Sequence, residues 1–203
     1  SGNCYRVFLD VAEKGLEAYK AAGFNPVIKG IAWMQGESEC QSKEYSAKYD
    51  VLLTALIKDM RQGLADRAKK VGALDSASNY DNLPFVIAKI PSKYKDVFAN
   101  APYTDIVREK QQLVADQDPF VTTIDNNNFK LPGTDTHHYN CSDMLMLGRN
   151  FAKEFFDMST LRTINIKCSS GGNLGTDEDG KDIKQIVTSS LTNAFIAYTL
   201  VPE

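Results

Sequence analysis

Both histidines of this chain stand side by side, at His137 and His138, just after an aspartate, Asp135. Any histidine chemistry must happen in that one stretch. Asp135 and His138 are three residues apart, which on a turn or a first helical coil puts both side chains on one side. A carboxylate placed there accepts the Nδ1 proton of the imidazole, fixes its tautomer and leaves Nε2 as a general base. That makes two-thirds of a hydrolytic triad. The plainer alternative is that Asp135 caps the following turn and His138 is a surface residue. His137 is also available, but its shorter offset from Asp135 makes the pairing less natural.

A base needs a nucleophile and a place to put charge. The second constellation is Gln35, Gly36, Glu37 and Ser38, directly after the apolar run Val27 to Met34, which holds the only tryptophan, Trp33. A short apolar run cut off by turn-forming residues reads as a buried strand. The polar side chains then lie just past a strand's carboxyl end, where open α/β sheets bind ligands. Gly36-Glu37-Ser38-Glu39-Cys40 nearly matches the G-x-S-x-G nucleophile elbow and would make Ser38 the nucleophile. Against it, the last position is cysteine where close packing asks for a small residue. The triad Asp and His of that class also come from different loops.

These stretches must be positioned by the elements around them. Residues 5–22 carry an apolar face at helical spacing that includes Val7, Phe8, Val11, Ala12, Leu16, Ala18 and Tyr19, with Gly23 as a stop. After the strand at 27–34, residues 43–64 read as the clearest helix, with Tyr45, Tyr49, Leu52, Leu53, Leu56, Ile57, Met60 and Leu64 on its apolar face. Residues 71–82 read as a loop. A second buried strand covers Phe85 to Ile90, and Thr104 is placed to cap a helix reaching about Ala115. Phe120 to Ile124 is a third strand, broken by Asp125-Asn126-Asn127-Asn128. Ser142 caps a helix over 143–156 whose Leu145, Leu147, Phe151, Phe155 and Phe156 turn inward. Alternating helices and apolar strands predict a parallel sheet flanked by helices, with both polar constellations on one sheet edge and able to form one site.

Beyond about residue 160 the period changes to two, so residues 161–203 read as a β appendage to an α/β domain over 1–160. Asp177 to Asp182 resembles a calcium loop but lacks the spacing and closing glutamate of an EF-hand, and a solvated hairpin tip suits it better. The length of 203 residues and 43% hydrophobic content are enough for one globular core. A net charge of -3 without a basic block argues against nucleic acid. No apolar run is long enough to span a bilayer. The cysteines, Cys4, Cys40, Cys141 and Cys168, form no CxxC pair, which argues against a structural zinc site. If the two polar loops meet, Cys40 and Cys141 come within reach of a disulfide; the alternative is separate thiols.

Gln35-Gly36-Glu37-Ser38 after Ile31-Ala32-Trp33-Met34 resembles the W-x-Q-G-E-S block of the sialate O-acetylesterase and acetylxylan esterase branch of the SGNH hydrolases. Asp135-Thr136-His137-His138 is similar to that family's closing D-x-x-H block, and Val107-Arg108-Glu109-Lys110-Gln111 to its R-x-x-Q helix. The resemblance covers roughly residues 5–156. It implies a flavodoxin-like three-layer α/β/α fold and a carbohydrate O-acetyl ester hydrolase, secreted or periplasmic, with no metal or organic cofactor. Carried over by position, His138 is the general base and Asp135 its orienter. Gln35 and Gly36 belong at the oxyanion hole, where preorganised donors stabilise the developing charge. Glu37 holds the loop and, with Ser38, His137 and Tyr139, faces the substrate. Arg108 and Gln111 are structural supports.

The family's nucleophile lies in a G-x-S block at the end of an earlier strand, and Ser1-Gly2-Asn3 is not that block. Three accounts stay open: the serine comes on another segment or a second chain that completes the sheet, the domain is non-catalytic, or Ser38 is the nucleophile. An incomplete sheet would expose an apolar edge, which favours a completing segment. The alternative from a different class is a carbohydrate-binding or structural module that uses Trp33, Tyr139 and Gln35.

Overall fold

The computed structural model describes residues 2–73, 80–97, 100–129 and 138–163. The chain divides into two compact units, Ser1–Leu161 and Arg162–Glu203. The β appendage and the acidic stretch 177–182 lie outside the described residues, as do Asp135 and His137.

The first unit carries three short parallel strands, β1 (Ile31–Met34), β2 (Phe85–Ala88) and β3 (Val121–Ile124), in the order β1-β2-β3. Before them comes α1 (Asn3–Ala21). Between β1 and β2 lie α2 (Lys43–Ala47) and α3 (Tyr49–Lys70), and between β2 and β3 lie α4 (Tyr94–Val97) and α5 (Thr104–Gln117). The last described helix is α6 (Cys141–Thr163).

Alternate strand residues feed two cores, as the two-residue period requires. Ile31, Phe85, Ile87 and Val121 pack with Leu53, Ile57, Leu64 and Val107 of α3 and α5. Val86, Ala88 and Ile124 pack on the other face with Leu147, Phe151 and Phe155 of α6. The result is the three-layer α/β/α arrangement. β2 is buried at all four positions, as a central parallel strand must be.

Several helices differ from their sequence reading. The helix expected over 43–64 is two helices broken at Lys48 (φ -104°, ψ 3°). The stripe that enters the core is Tyr49, Leu53, Ile57, Met60 and Leu64, while Tyr45 and Leu52 are exposed. In α1 the buried residues are Leu9, Glu13 and Leu16. Val7 and Val11 face out, while Glu13 is buried and pairs with Arg67 and Lys70 of α3. Thr104 does not cap α5 with its side chain; its hydroxyl donates to the Ala101 carbonyl at 2.8 Å. At α6 the cap is Asn140 rather than Ser142, with Asn140 Oδ1 accepting the Asp143 N–H at 2.9 Å. Leu145 and Phe156 of α6 are exposed.

Among the described residues β1 has an unpaired outer edge. Ile31 N–H donates to the Pro84 carbonyl at 2.8 Å. In a parallel pair alternate residues bond to one neighbour, so the backbone groups of Ala32 and Met34 point outward. Both side chains are exposed, and an apolar groove lined by Phe8, Leu16, Ile28 and Ile31 runs beside them.

Candidate active site

The chain leaves β1 at Met34 and turns sharply at Gly36, whose φ of +140° few side-chain-bearing residues adopt. There is also no room for one: a Cβ at Gly36 would lie 2.9 Å from Val107 Cγ1 and 3.2 Å from Gln111 Nε2. The Gln35 carbonyl accepts from Gln111 Nε2 and from the Tyr49 hydroxyl, each at 2.9 Å. Gln111 Oε1 takes the Ile90 N–H at 3.2 Å, so one fully buried amide ties the ends of β1 and β2 together. Arg108, one turn earlier on α5, donates to the Ile90 carbonyl and pairs with Asp125 past β3 at 2.8 Å. The R-x-x-Q helix thus clamps three strand ends.

The Gln35 carboxamide is held as well. Its oxygen accepts from Tyr49 at 3.1 Å and its nitrogen donates to Glu39. Cys40 is fully buried beneath the loop, with its thiol donating to the Gly36 carbonyl at 3.0 Å. Burial pushes that thiol up to about 12, helped by the Glu37 and Glu39 charges against a hydrogen bond from Thr104. It therefore stays protonated and is inert. No disulfide joins Cys40 to Cys141. Both are unpaired, one buried and the other exposed at the start of α6.

At this edge of the sheet lies a cavity of about 610 Å³. Glu37 and Ser38 line it from the β1 loop, Tyr94 from α4, and His138 and Tyr139 from the stretch before α6, with Met34 and Met144 as apolar surface. Residues a hundred positions apart are brought to one place. His138 is exposed and Tyr139 half-buried. The Tyr139 ring stands edge-on to Phe129, centroids 5.2 Å apart at 86°. Burial pushes its phenol up to about 12, with a hydrogen bond to Asn126 opposing and the Glu37 charge adding. Burial raises Tyr94 too, and Glu37 is the next contributor. Both phenols are thus hydrogen-bond donors at neutral pH.

Gln35 and Gly36 lie beside the cavity and do not line it. Ser38 has ordinary helical backbone (φ -69°, ψ -38°), unlike the sharp turn of a nucleophile elbow. Trp33 is on the face of β1 that packs on the α3 and α5 core, against Phe85 at 5.9 Å, so it offers no platform for a sugar in this cavity. Sequence reasoning missed Tyr94, Tyr49 and Asn126. Tyr94 follows β2 and Asn126 follows β3. The rule that singled out Gln35, applied to all three strand ends, would have found both.

A parallel sheet sandwiched by helices, with an acid, a serine, an imidazole and phenols at its carboxyl edge, makes this a three-layer α/β/α domain with a polar site at the strand ends. Residues 3–157 match the family described as carbohydrate esterase, sialic acid-specific acetylesterase, and the chain belongs to that family. A protein from Arabidopsis thaliana, solved by X-ray diffraction, has a similar fold, with a TM-score of 0.55 and 22% identity. The match covers 74% of this chain and 52% of that one, so the chain spans about half the length of that relative. No curated protein matches the sequence significantly.

Proposed function

We propose that this domain hydrolyses O-acetyl esters on a carbohydrate. The observation that carries the reading is the meeting of the Glu37–Ser38 loop and the His138–Tyr139 stretch in one cavity at the carboxyl edge of the sheet. In this reading His138 is the general base and Asp135 orients it. The Gln35 carboxamide and the Gly36 backbone donate to the oxyanion. For that, Gln35 uses the N–H not given to Glu39, or exchanges partners as the substrate arrives. The nucleophilic serine arrives on a strand that pairs with the open edge of β1, from another segment or a second chain. Three features support that part. Ala32 and Met34 present backbone groups to the edge, the groove beside them is apolar, and Ser38 lacks an elbow.

The test is acetate release from an acetylated sugar by the full natural protein, with a serine-directed fluorophosphonate to locate the nucleophile. His138→Ala should lower kcat by about 10²- to 10⁴-fold with the fold retained. The label should fall on a serine other than Ser38, and Ser38→Ala should keep most of the turnover. Label on Ser38 would move the nucleophile to this loop. Unchanged turnover in His138→Ala would remove the base.

A further inference from the structure

The turn after β3 is built against one side chain, that of Tyr139. It is closed by the Phe129 N–H, which donates to the Asn126 carbonyl at 3.0 Å. It is tied to the chain just after β2 by Asn126 Nδ2 on the Lys89 carbonyl at 3.4 Å and by the Ser92 N–H on Asn127 Oδ1 at 2.8 Å. Two of its residues reach Tyr139. Phe129 meets the ring edge-on, and the fully buried Asn126 hydrogen-bonds the phenol.

The direction of that last bond follows from the other contacts of the amide. The Lys89 carbonyl can only accept, so the nitrogen of Asn126 faces it, and turning the amide over would lose that bond. Its Oδ1 is buried with no partner among the described residues. The group that reaches the phenol is therefore Nδ2, and the Tyr139 oxygen accepts. A phenol has one hydrogen, held near the ring plane by conjugation, and it lies on the side away from an incoming donor. The Asn126 bond thus directs the O–H away from the buried turn. Tyr139 itself lines the cavity of about 610 Å³ beside His138 and Ser38.

Resting on the esterase reading above, we infer that Asn126 is a positioning residue, which occupies the acceptor side of the Tyr139 hydroxyl and commits that hydroxyl as a hydrogen-bond donor to an oxygen of the substrate sugar. Two measurements test this. The first places 3-fluorotyrosine at position 139, whose phenol ionises at lower pH than that of tyrosine, and follows its titration by fluorine NMR with and without Asn126→Ala. A donor stabilises the phenolate, so its loss should raise the titration. A fall would mean that Asn126 accepts the phenol hydrogen, and no change that it does not bond the phenol; either overturns the inference. Should Asn126→Ala not fold, bound methyl 2-O-acetyl-xyloside in the otherwise wild-type chain decides. A sugar oxygen that accepts from the neutral phenol raises the titration, and an unmoved titration overturns the inference.

The second measurement is a double-mutant cycle on hydrolysis of the same xyloside by the full natural protein. Tyr139→Phe should raise KM about tenfold with kcat held within about threefold, as loss of one ground-state hydrogen bond requires. Asn126→Ala should raise KM about threefold alone and leave it unchanged in the Tyr139→Phe background. Equal effects of Asn126→Ala in both backgrounds would reduce it to packing. A loss of kcat at unchanged KM in Tyr139→Phe would put the phenol on the reacting atoms instead of the sugar. Each of these overturns the inference. If the wild type neither binds nor hydrolyses the acetylated sugar, the esterase reading falls and the substrate half of this inference with it, while the titration of Asn126→Ala still decides whether Asn126 positions the phenol.

Discussion

The loop after β1 and the stretch before α6 both reach the cavity, but they are held there by different forces. The loop is pinned by directed polar contacts. The Gln35 carbonyl meets Gln111 and Tyr49, its carboxamide meets Tyr49 and Glu39, and Cys40 lies under Gly36. Packing holds the other side: the Tyr139 ring on Phe129, above Leu147, Ile124 and Ala88. Asn126, fully buried beside it, hydrogen-bonds the Tyr139 phenol and gives a 3.4 Å bond to the Lys89 carbonyl. Directed bonds fix an orientation as well as a position, whereas the packing of the Tyr139 ring fixes a position. In the proposed reading the first suits an oxyanion donor.

The largest expected effect breaks the pinned side at its tightest point. Gly36→Ala must either abandon a φ of +140° or press its Cβ into Val107 at 2.9 Å. Both costs fall on fully buried neighbours, so denaturant unfolding should show a loss of about 3 kcal/mol. A loss below about 1 kcal/mol would mean that the loop relaxes and is not pinned.

The next comparison sets one buried amide against the other. Gln111→Leu leaves the Ile90 N–H and one bond to the Gln35 carbonyl without their partner, and should cost about 2 to 3 kcal/mol. Asn126→Ala removes one long bond to the Lys89 carbonyl, the bond to the Tyr139 phenol and an Oδ1 that has no partner among the described residues, and should cost about 1 kcal/mol. Equilibrium unfolding of both variants checks the order. If Asn126→Ala proves the more costly, the polar bracing lies on the wrong wall.

Both polar stretches, the three strands and the parallel α/β arrangement were legible in the sequence because apolar runs ending in turn residues are local signals. The bracing was legible only in part. The R-x-x-Q resemblance marked Arg108 and Gln111 as supports, but Gln111 touches Gln35 across 76 residues and Tyr49 touches it across 14, and no local pattern points from either to Gln35. Periodicity named Leu52 and Val11 as core since it counts apolar spacing alone. It cannot see that a charged residue, Glu13, is buried on α1 by its pairing with Arg67. The Cys40–Cys141 pairing failed for a related reason. Two loops can meet at a cavity while one cysteine points beneath its loop and the other into solvent.

The two walls should also differ in alkali. Tyr49 and Tyr139 are both raised from 10.0 to about 12, mainly by burial. A phenol is neutral when protonated, so a raised folded value means the folded state holds its proton more tightly. The associated stability is complete below pH 10 and is lost as pH climbs towards 12. Tyr49, in the pinned wall, should contribute about 2 kcal/mol of that loss. Tyr49 is buried and Tyr139 half-buried, where solvent screens its charge, so Tyr49→Phe should flatten the alkaline limb more than Tyr139→Phe, measured as unfolding free energy from pH 9 to 12. Equal flattening would mean that the two phenols are buried alike.

The smallest effect sharpens the contrast through the access of reagents to two thiols. Cys40 lies under the pinned loop and Cys141 heads the helix of the packed one. Thiol reagents attack the thiolate, so a buried thiol raised to about 12 is protected twice, by access and by ionisation. In the native protein at pH 8, peptide mapping after brief alkylation should find Cys4 and Cys141 modified and Cys40 untouched. Cys40 should react only when the loop opens, at a rate set by the stability of that opening. Because Gly36→Ala removes the turn above it, Cys40 should become reactive in that variant under conditions where the rest of the fold persists. If Cys40 stays protected until global unfolding in both proteins, the loop and the helices behind it open as one unit.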